Sequence, residues 1–371
     1  MLPIIRGLRA RGVEPLVAVP DPEKAKAIFG AESSRLIRAV PLPLTSGPHR
    51  NVHSHADILL QGGFANLAAL SAAVDGWRAI YREERIDTVV LDYAPVAQLA
   101  AWLMGLRMLT ASSAFASPPV PLPALRAMTP QSASLMEASE RELLACINHV
   151  VTAAGRAPID SLAPWLHTPE RYLHGIAQLN FFDFEPQGGY LGPLGAQLAH
   201  ETVDWPASGR RRVLCYLRWS RQTPALIKSL DRADRELLCA IPQAPAPWVQ
   251  SLPKVRVRVF SAPIALQPLM RTADVIVSHA SGGVACEALI AGRPQLLIPF
   301  DREKMLISQR LTQLKVGLML PPSRPASQAS ASVQRLLDDA AFGAAAKKVS
   351  ASLKPEDWTS SLNQLVQAIV Q

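Results

Sequence analysis

Cysteine is scarce in this chain, and the few that are present form no metal-binding pattern. Only four of the 371 residues are cysteine. They lie far apart in apolar surroundings, at Cys146, Cys215, Cys239 and Cys286. Because no C-x-x-C pair exists, zinc ligation is not indicated and no metal site is expected. We expect buried free thiols in a reducing compartment.

Long hydrophobic runs and targeting signals are also lacking. No stretch approaches the roughly 20 apolar residues that are needed to span a bilayer. The N-terminus, Met1-Leu2-Pro3, leads straight into amphipathic sequence rather than into a signal peptide. These two absences predict a cytoplasmic protein.

Acidic residues are outnumbered by basic ones, 30 to 38, which gives a net charge of +8. This balance favours anionic partners such as a nucleotide diphosphate, nucleic acid or an acidic membrane face, although it also serves solubility alone. The basic residues are scattered and are not interleaved with aromatic ones, so we expect no nucleic-acid partner. The net positive charge is also compatible with a peripheral membrane contact.

Apolar residues, in contrast, make up 49% of the chain, and its length suits two domains. Short apolar segments alternate with helical patterns in both halves, which predicts an α/β protein with parallel sheets. The predicted strands are Leu16–Val19, Leu36–Val40, Thr88–Leu91 and Met108–Ala111, then Arg212–Tyr216, Leu237–Ile241, Val255–Phe260, Asp274–Val277 and Gln295–Ile298.

The predicted domains are an N-terminal domain at 1–188, a Gly- and Pro-rich linker at 189–211, and a C-terminal domain at 212–371 that includes the terminal helices. We expect two Rossmann-like domains that face a cleft at the carboxyl ends of their strands. The chain opens in a helical pattern where such a domain normally opens with a strand. We therefore expect the first strand and its loop to be missing; the alternative is a domain that simply begins with a helix.

The segment 274–320 carries the clearest chemical signal. A buried strand ends at Ser278 and His279, turns through small residues, and leads into a helix from Val284. Small residues let the backbone approach a phosphate closely, and free N–H groups at a helix start favour an anion. We expect His279 to donate to a phosphoryl oxygen, and Glu287, one turn into the helix, to accept hydrogen bonds from a ribose.

This segment resembles the donor-binding half of family 1 glycosyltransferases and their family 28 relatives, which have the GT-B fold. Their pattern reads roughly H-G-G-x-G-T-x-x-E-A-L-x-x-G-x-P, then P-x-x-x-(D/E)-Q. The matching residues are His279, Gly283, Glu287, Ala288, Leu289, Gly292, Pro294 and Pro299, and Arg310, Leu311 and Gly317 continue the match. The resemblance extends more loosely to Leu2–Gly12, which is similar to the first helix, and to Tyr190–Leu194, which is similar to the linker.

The resemblance implies an enzyme that moves a sugar from a UDP- or dTDP-sugar to an acceptor hydroxyl, with inversion and without a metal. The nucleotide sugar is then a co-substrate, and no cofactor is expected. The implied donor-binding residues are His279, Ser281, Gly282 and Gly283 for the diphosphate, Glu287 for the ribose, Arg218 and Ser220 for further phosphate contacts, and Glu303 and Lys304 for the sugar. The loop 263–266 would lie near the base of the nucleotide.

Several positions depart from the family pattern. Ala280, Ser281 and Val284 stand where glycines and a threonine are usual, and the loop near the base has no aromatic residue. Glu303 and Lys304 replace an acidic residue and glutamine. Since lysine donates but cannot accept, an acidic or otherwise altered sugar would suit it. The alternatives are that these two residues form a charged helix start and that Arg218 is a solvated surface charge.

On the acceptor side, the resemblance implies a histidine base on the loop after the first strand, oriented by an aspartate at a strand end. Asp92 matches that aspartate; the alternative is that Asp92 caps the next helix. The histidine would lie in the missing portion. One interpretation is that His53 and His55 substitute for this missing histidine. The alternative is that they belong to a polar loop. The Pro-rich segment 117–130 hints at a hydrophobic small molecule or lipid as the acceptor.

Two other functions remain open from the sequence. The missing strand and loop are compatible with a catalytically impaired or non-catalytic GT-B-like protein, either truncated or a binding partner. An epimerase of the same fold that acts on the nucleotide sugar is less favoured, because no paired acid and base are evident.

Overall fold

The computed structural model describes residues 1–30, 35–44, 52–122, 133–167, 170–194, 201–253, 255–321 and 323–371. The chain divides into two compact units. The first comprises Met1–Ile176, Phe182–Ala196 and Pro355–Gln371, and the second comprises Ala177–Phe181 and Gln197–Lys354.

The first unit alternates helices and short strands. Its elements are α1 (Leu2–Arg9), β1 (Val17–Val19), α2 (Pro22–Phe29), β2 (Leu36–Arg38), α3 (His55–Leu59) with a π-helical turn (Leu60–Phe64), α4 (Leu67–Glu83), β3 (Thr88–Leu91), α5 (Pro95–Met104), β4 (Arg107–Ser112), α6 (Ala133–Ala153), α7 (Ala163–Leu166) and β5 (Glu170–Leu173). It ends, after the second unit, with α15 (Pro355–Val370).

Two parallel sheets form among the described residues of this unit. Strand β1 pairs with β2, and a separate sheet has the order β3-β4-β5. In the β3-β4-β5 sheet, Leu91 is in register with Thr110, and Ser112 is in register with Leu173. The carboxyl ends of the three strands therefore lie at the same edge of the sheet. Helices α4, α5 and α6 bury a continuous apolar core that includes Leu70, Leu99 and Leu143.

The second unit contains β6 (Arg211–Tyr216), α8 (Thr223–Leu230), β7 (Arg235–Ala240), α9 (Ala246–Ser251), β8 (Val257–Phe260), α10 (Leu266–Thr272), β9 (Val275–Ser278), α11 (Gly282–Ile290), β10 (Gln295–Leu297), α12 (Arg302–Gln313), β11 (Gly317–Met319), α13 (Gln328–Asp338) and α14 (Ala340–Ala351). A short 3₁₀ turn at Ala177–Leu179 contacts α12.

All pairs in the sheet of this unit are parallel, in the order β11-β10-β9-β6-β7-β8. The strand order reverses between β6 and β9, where Tyr216 is level with Ser278. In open parallel sheets, ligands bind outside the carboxyl ends of the strands at such a switch point. Strands β7 and β9 are buried along their whole length, whereas the outer strands β8 and β11 are only partly buried.

The predicted α/β class is confirmed. Strands β5 and β11 were missed, because three- and four-residue segments containing Gly317 or the charged Glu170 and Arg171 carry no alternating pattern. The structure places α15 in the first unit rather than with the C-terminal domain, because Leu365 and Val366 pack against α1. Part of the Pro-rich segment, 123–130, and part of the linker, 195–200, lie outside the described residues.

Within the described chain, no single helix is long and apolar enough to cross a membrane. One pair, His55–Phe64 and Leu67–Glu83, meets the length and composition criteria only when taken together across a bend of 84°.

Candidate donor-binding site

The turn between β9 and α11 lies at the switch point of the second unit. Ala280 has a φ of +62°, a left-handed conformation that is unusual for alanine, and its N–H donates to Oγ of Ser278 over 3.0 Å. Ser281 is the N-cap residue of α11, but its side chain makes no capping hydrogen bond. The first N–H to bond within the helix is that of Ala285, to the carbonyl of Ser281.

The N–H groups of Gly282, Gly283 and Val284 therefore have no partner within the helix. A Cβ added to Gly283 would meet nothing within 4 Å, and one added to Gly282 would meet only the tip of Ile307 at 3.9 Å. At Gly282 and Gly283, the start of α11 is thus not covered by other described residues. Free N–H groups, the helix dipole and open space together form an anion-binding position.

His279 is held at the end of β9 by a backbone carbonyl. Its Nδ1 lies 2.8 Å from the carbonyl oxygen of Ile298. Because a carbonyl only accepts, Nδ1 carries the proton of the neutral ring. Nε2 is buried and has no hydrogen-bond partner among the described residues. Burial lowers the pKa of His279, and the carbonyls of Ile298 and Arg218 oppose this effect.

Three of the predicted residues gather around the ring of Phe300, a residue that the sequence analysis did not single out. His279 meets the ring edge-on with 5.0 Å between centroids, Arg218 lies 5.8 Å from its centroid, and Nζ of Lys304 lies 4.6 Å from it. Phe300 itself is 49% exposed. The structure therefore brings an exposed aromatic ring and three basic side chains together beside the switch point.

Lys304 and Glu303 lie in the first turn of α12, whose N-cap residue is Asp301. One carboxylate oxygen of Asp301 accepts from the backbone N–H of Lys304 over 3.0 Å, and the other pairs with its Nζ at 2.5 Å. The charged helix start that was the alternative interpretation is thus present. The positive charge of Lys304 is partly neutralised by Asp301.

Glu287 on α11 has one carboxylate oxygen occupied. Nε2 of Gln267, on α10, donates to Oε1 of Glu287 over 2.8 Å. Gln267 directly follows the segment 263–266, which the resemblance implies lies near the base. The sequence analysis missed Gln267, because a single polar residue on a short helix carries no motif; its contact with Glu287 exists only in the folded sheet.

Ser220 has a local structural role. Its hydroxyl lies 3.0 Å from Oγ1 of Thr223, and its backbone N–H donates to the same atom over 2.9 Å. These contacts order the start of α8. Arg218, two residues earlier, is exposed and makes no ion pair with any described residue, as expected for a solvated charge or for a group that binds an anion.

Asp92 lies in the other unit, directly after β3, and is exposed. It does not cap the next helix, because the N-cap residue of α5 is Ala94; that alternative interpretation is wrong. Burial lowers the pKa of the α-amino group of Met1, and the negative charge of Asp92 opposes this effect. The described residues contain no group of three or more His, Cys, Asp or Glu side chains that could hold a metal ion.

Comparison with known proteins agrees with this geometry. Residues 224–363 match the family model described as "Erythromycin biosynthesis protein CIII-like, C-terminal domain". A 144-residue segment is 31% identical to L-demethylnoviosyl transferase of Streptomyces niveus, over 36% of this chain and 36% of that protein. A 108-residue segment is 25% identical to UDP-sugar-dependent glycosyltransferase 52 of Dictyostelium discoideum, over 29% of this chain and 6% of that protein. The matched segment spans little more than a third of the length of the first relative and a far smaller part of the length of the second.

Solved structures match over nearly the whole chain. The glycosyltransferase of kitacinnamycin superposes with a TM-score of 0.74 at 18% identity, covering 99% of this chain and 94% of the other. The spinosyn rhamnosyltransferase complexed with thymidine diphosphate superposes with a TM-score of 0.69 at 21% identity, covering 100% and 96%. The same enzyme complexed with spinosyn aglycone gives 0.66 at 19% identity, with the same coverage.

The fold and the uncovered turn at the switch point define a GT-B protein. The resemblance to GT-B glycosyltransferases is confirmed, and residues 224–363 are similar to the erythromycin biosynthesis protein CIII-like C-terminal domain.

Proposed function

We propose that this protein is a glycosyltransferase that moves a sugar from a UDP- or dTDP-sugar to the hydroxyl of a small-molecule acceptor, with inversion and without a metal ion. The observation that carries the proposal is the start of α11 at the switch point of a parallel sheet, where the N–H groups of Gly282 and Gly283 have no partner within the helix and no described residue fills the space beside Gly283. Such a position favours a diphosphate over a neutral ligand.

The basic groups near Phe300 complement this position. In the proposed complex, the α11 amides and Nε2 of a protonated His279 donate to the diphosphate, and the exposed Arg218 adds a positive charge. Fixed donors and dipoles of this kind stabilise the charge that develops on a departing nucleotide diphosphate. This supports a transfer that needs no bound cation.

Glu287 is proposed to bind the ribose. Gln267 occupies one of its carboxylate oxygens, and Oε2 has no hydrogen bond to a described residue. A carboxylate accepts hydrogen bonds only, which suits ribose hydroxyls as donors. The similar proteins support a nucleotide-sugar donor, since one is described as UDP-sugar-dependent and another was solved with thymidine diphosphate. The spinosyn aglycone in a third structure supports a small-molecule acceptor.

Thermal denaturation in the presence of dTDP, UDP, AMP and a panel of dTDP- and UDP-sugars tests the donor side. We expect dTDP or UDP, but not AMP, to raise Tm, because a ligand that binds only the folded state stabilises it by mass action. No shift with any nucleoside diphosphate or nucleotide sugar would refute the proposal. The same screen with Glu287→Ala tests whether the shift arises at this site.

Product analysis tests the reaction. With a donor that raises Tm, we expect the product glycoside to have the opposite anomeric configuration to the donor, at an unchanged rate in EDTA. Retained configuration would refute inversion, and loss of activity in EDTA would refute metal independence. Conversion of the nucleotide sugar without an acceptor would indicate an epimerase instead. The similar proteins named above do not favour a non-catalytic role.

A further inference from the structure

Two arginines in the described part of the chain are buried, and only one of them has a carboxylate partner. Arg235, at the start of β7, is fully buried and pairs with Asp234 at 3.2 Å and with the side chain of Gln334. Arg171, on β5, is 6% exposed, and its guanidinium makes no ion pair or hydrogen bond with a described residue. Its Nε is buried without a partner. The positive charge of Arg171 is therefore uncompensated among the described residues.

The acidic neighbour of Arg171 along β5 is already engaged elsewhere. Glu170 pairs with Arg107 at 2.7 Å, and successive side chains of a strand point to opposite faces. Burial lowers the pKa of the Arg171 guanidinium, as expected for a cation that is removed from water. A buried charge without a partner destabilises the folded state. An anion bound beside Arg171 would remove that cost.

The guanidinium of Arg171 contacts an aromatic ring but no hydrogen-bond acceptor. Its Cζ lies 5.6 Å from the ring centroid of Phe184, which is a cation–π contact. Such a contact holds the cation without occupying its N–H donors in conventional hydrogen bonds. The planar fork of N–H donors matches the oxygens of a carboxylate or of a phosphate group, which it can bind through two hydrogen bonds.

A second unsatisfied polar group lies on the neighbouring strand. Thr110 of β4 is in register with Arg171, so the two side chains project from the same face of the sheet. Thr110 is 4% exposed, and its Oγ1 is buried without a partner among the described residues. Because a hydroxyl can donate to an anion, the two unsatisfied donors on adjacent strands indicate one shared ligand.

We propose that Arg171 and Thr110 form an oxyanion-binding site in the first unit. The fork of Arg171 binds two oxygens of a carboxylate or phosphate group, and the hydroxyl of Thr110 donates to one of them. Both residues belong to the first unit, whereas the turn before α11 belongs to the second. The site therefore does not depend on the proposed function.

Thermal denaturation of the full chain with acetate, inorganic phosphate and acetamide tests the site, at an ionic strength kept constant with sodium chloride. We expect acetate or phosphate to raise Tm by about 3 °C or more near saturation, because the anion binds only the folded state. Acetamide, the neutral analogue of acetate, should leave Tm unchanged. A larger rise with acetate assigns the site to a carboxylate, and a larger rise with phosphate assigns it to a phosphate group. No rise with either anion would overturn the proposal.

Arg171→Met removes the cation and keeps an unbranched side chain. In sodium chloride alone, we expect its Tm to be at least as high as that of the wild type, because an uncompensated buried charge is lost. Acetate and phosphate should raise the Tm of the wild type more than that of Arg171→Met. A Tm of Arg171→Met well below that of the wild type in sodium chloride alone would show that the protein itself compensates Arg171, and would overturn the proposal.

Arg156→Met is the matched control. Arg156 also contacts an aromatic ring, that of Trp102 at 4.9 Å, but it is exposed. Its replacement should leave the response to both anions as in the wild type. An equal loss of the response in Arg156→Met and Arg171→Met would show a general effect of surface charge and would overturn the site.

Thr110→Val tests the second donor. It keeps the shape of the side chain and removes an unpartnered buried hydroxyl, so it should fold at least as stably as the wild type. We expect Kd for the anion that raises Tm to increase about threefold or more, measured by titration calorimetry. An unchanged Kd would place the anion away from this face of the sheet and would overturn the site.

The inference and the proposed function fail in different ways. Since the turn before α11 is also proposed to bind phosphate, the readout for phosphate is the difference between the wild type and Arg171→Met. If dTDP does not raise Tm but the response to acetate requires Arg171, only the proposed function falls. If dTDP raises Tm and neither anion distinguishes Arg171→Met from the wild type, only the inference falls.

Discussion

The ammonium group of Lys304 lies between the ring of Phe300, at 4.6 Å from its centroid, and the carboxylate of Asp301, at 2.5 Å. Asp301 therefore offsets much of the charge that Lys304 would present to a donor. Arg218 contacts the same ring from 5.8 Å and makes no ion pair with a described residue. Of these two cations beside the ring, Arg218 is the one whose charge remains available to an anion.

Replacement of Arg218 should weaken nucleotide binding more than replacement of Lys304. We expect Arg218→Gln to raise Kd for dTDP about tenfold, because a partly exposed charge-assisted hydrogen bond to phosphate contributes about 1.4 kcal/mol. Lys304→Gln should change Kd less than threefold. Titration calorimetry at two salt concentrations gives both values, and Arg221→Gln, exposed in the same loop, serves as the control. The reverse ranking would contradict the roles assigned to the two cations.

The tautomer of His279 predicts a proton uptake on binding. In the neutral ring, Nδ1–H is committed to the Ile298 carbonyl, so Nε2 can donate to a phosphate only after the ring gains a proton. Burial lowers the pKa of His279 in the free protein, and a bound diphosphate raises it. Affinity for dTDP should therefore rise as pH falls from 8 towards 6.

Titration calorimetry in buffers of different ionisation enthalpy measures that uptake. Since dTDP itself also titrates, the wild type must be compared with His279→Gln, which should take up fewer protons and lose part of the pH dependence. Identical proton uptake in the two proteins would show that His279 stays neutral in the complex.

Two glycines provide a matched test of phosphate binding at the turn between β9 and α11. Gly283→Ala and Gly343→Ala both add a Cβ that meets no protein atom within 4 Å, and both lie in helices, α11 and α14. Each should fold, with a stability gain of up to about 1 kcal/mol from helix propensity. Only Gly283→Ala should reduce dTDP affinity, by at least tenfold, because its methyl group occupies the space that a phosphate needs. Equal affinity in both variants would place the diphosphate elsewhere.

Gln267 should act on the nucleotide only through Glu287. We expect Glu287→Ala to weaken dTDP about tenfold, as expected for the loss of hydrogen bonds to a charged acceptor worth about 1.5 kcal/mol. Gln267→Ala releases a carboxylate oxygen and should change Kd less than threefold. A double-mutant cycle measures their coupling. If Gln267→Ala costs as much as Glu287→Ala, Gln267 itself binds the nucleotide.

Acid should destabilise the first unit through His55. Its pKa is about 4 in the folded state because of burial, whereas an unfolded histidine has a pKa of 6.5. The unfolded state therefore binds more protons between these values, and stability is lost as pH falls from about 6.5 towards 4, at up to about 1.4 kcal/mol per pH unit for this group. Urea unfolding from pH 7 to 5 should give a shallower slope for His55→Gln than for His149→Gln.

The strand, turn and helix of the proposed donor site could be predicted from the sequence because their determinants are local. The strand, turn and helix from Val275 to Ile290 are contiguous, so their spacing alone placed Gly282, Gly283 and Glu287 near an anion-binding helix start. Inversion, metal independence and the identity of the nucleotide base stay predictions. What local sequence could not reveal were the partners that arrive from other elements: Phe300 and Ile298 beside His279, and Gln267 beside Glu287.

The acceptor side could not be predicted from local sequence in the same way. His55 read as part of a polar loop because its aromatic contacts, Tyr93 and Phe115, come from segments about 40 and about 60 residues away along the chain. By itself the sequence determined the alternation of strands and helices and the turn between β9 and α11, which depend on residues a few positions apart. Only the tertiary structure decided which side chains share a pocket, because parallel strands bring the ends of distant segments to one sheet edge.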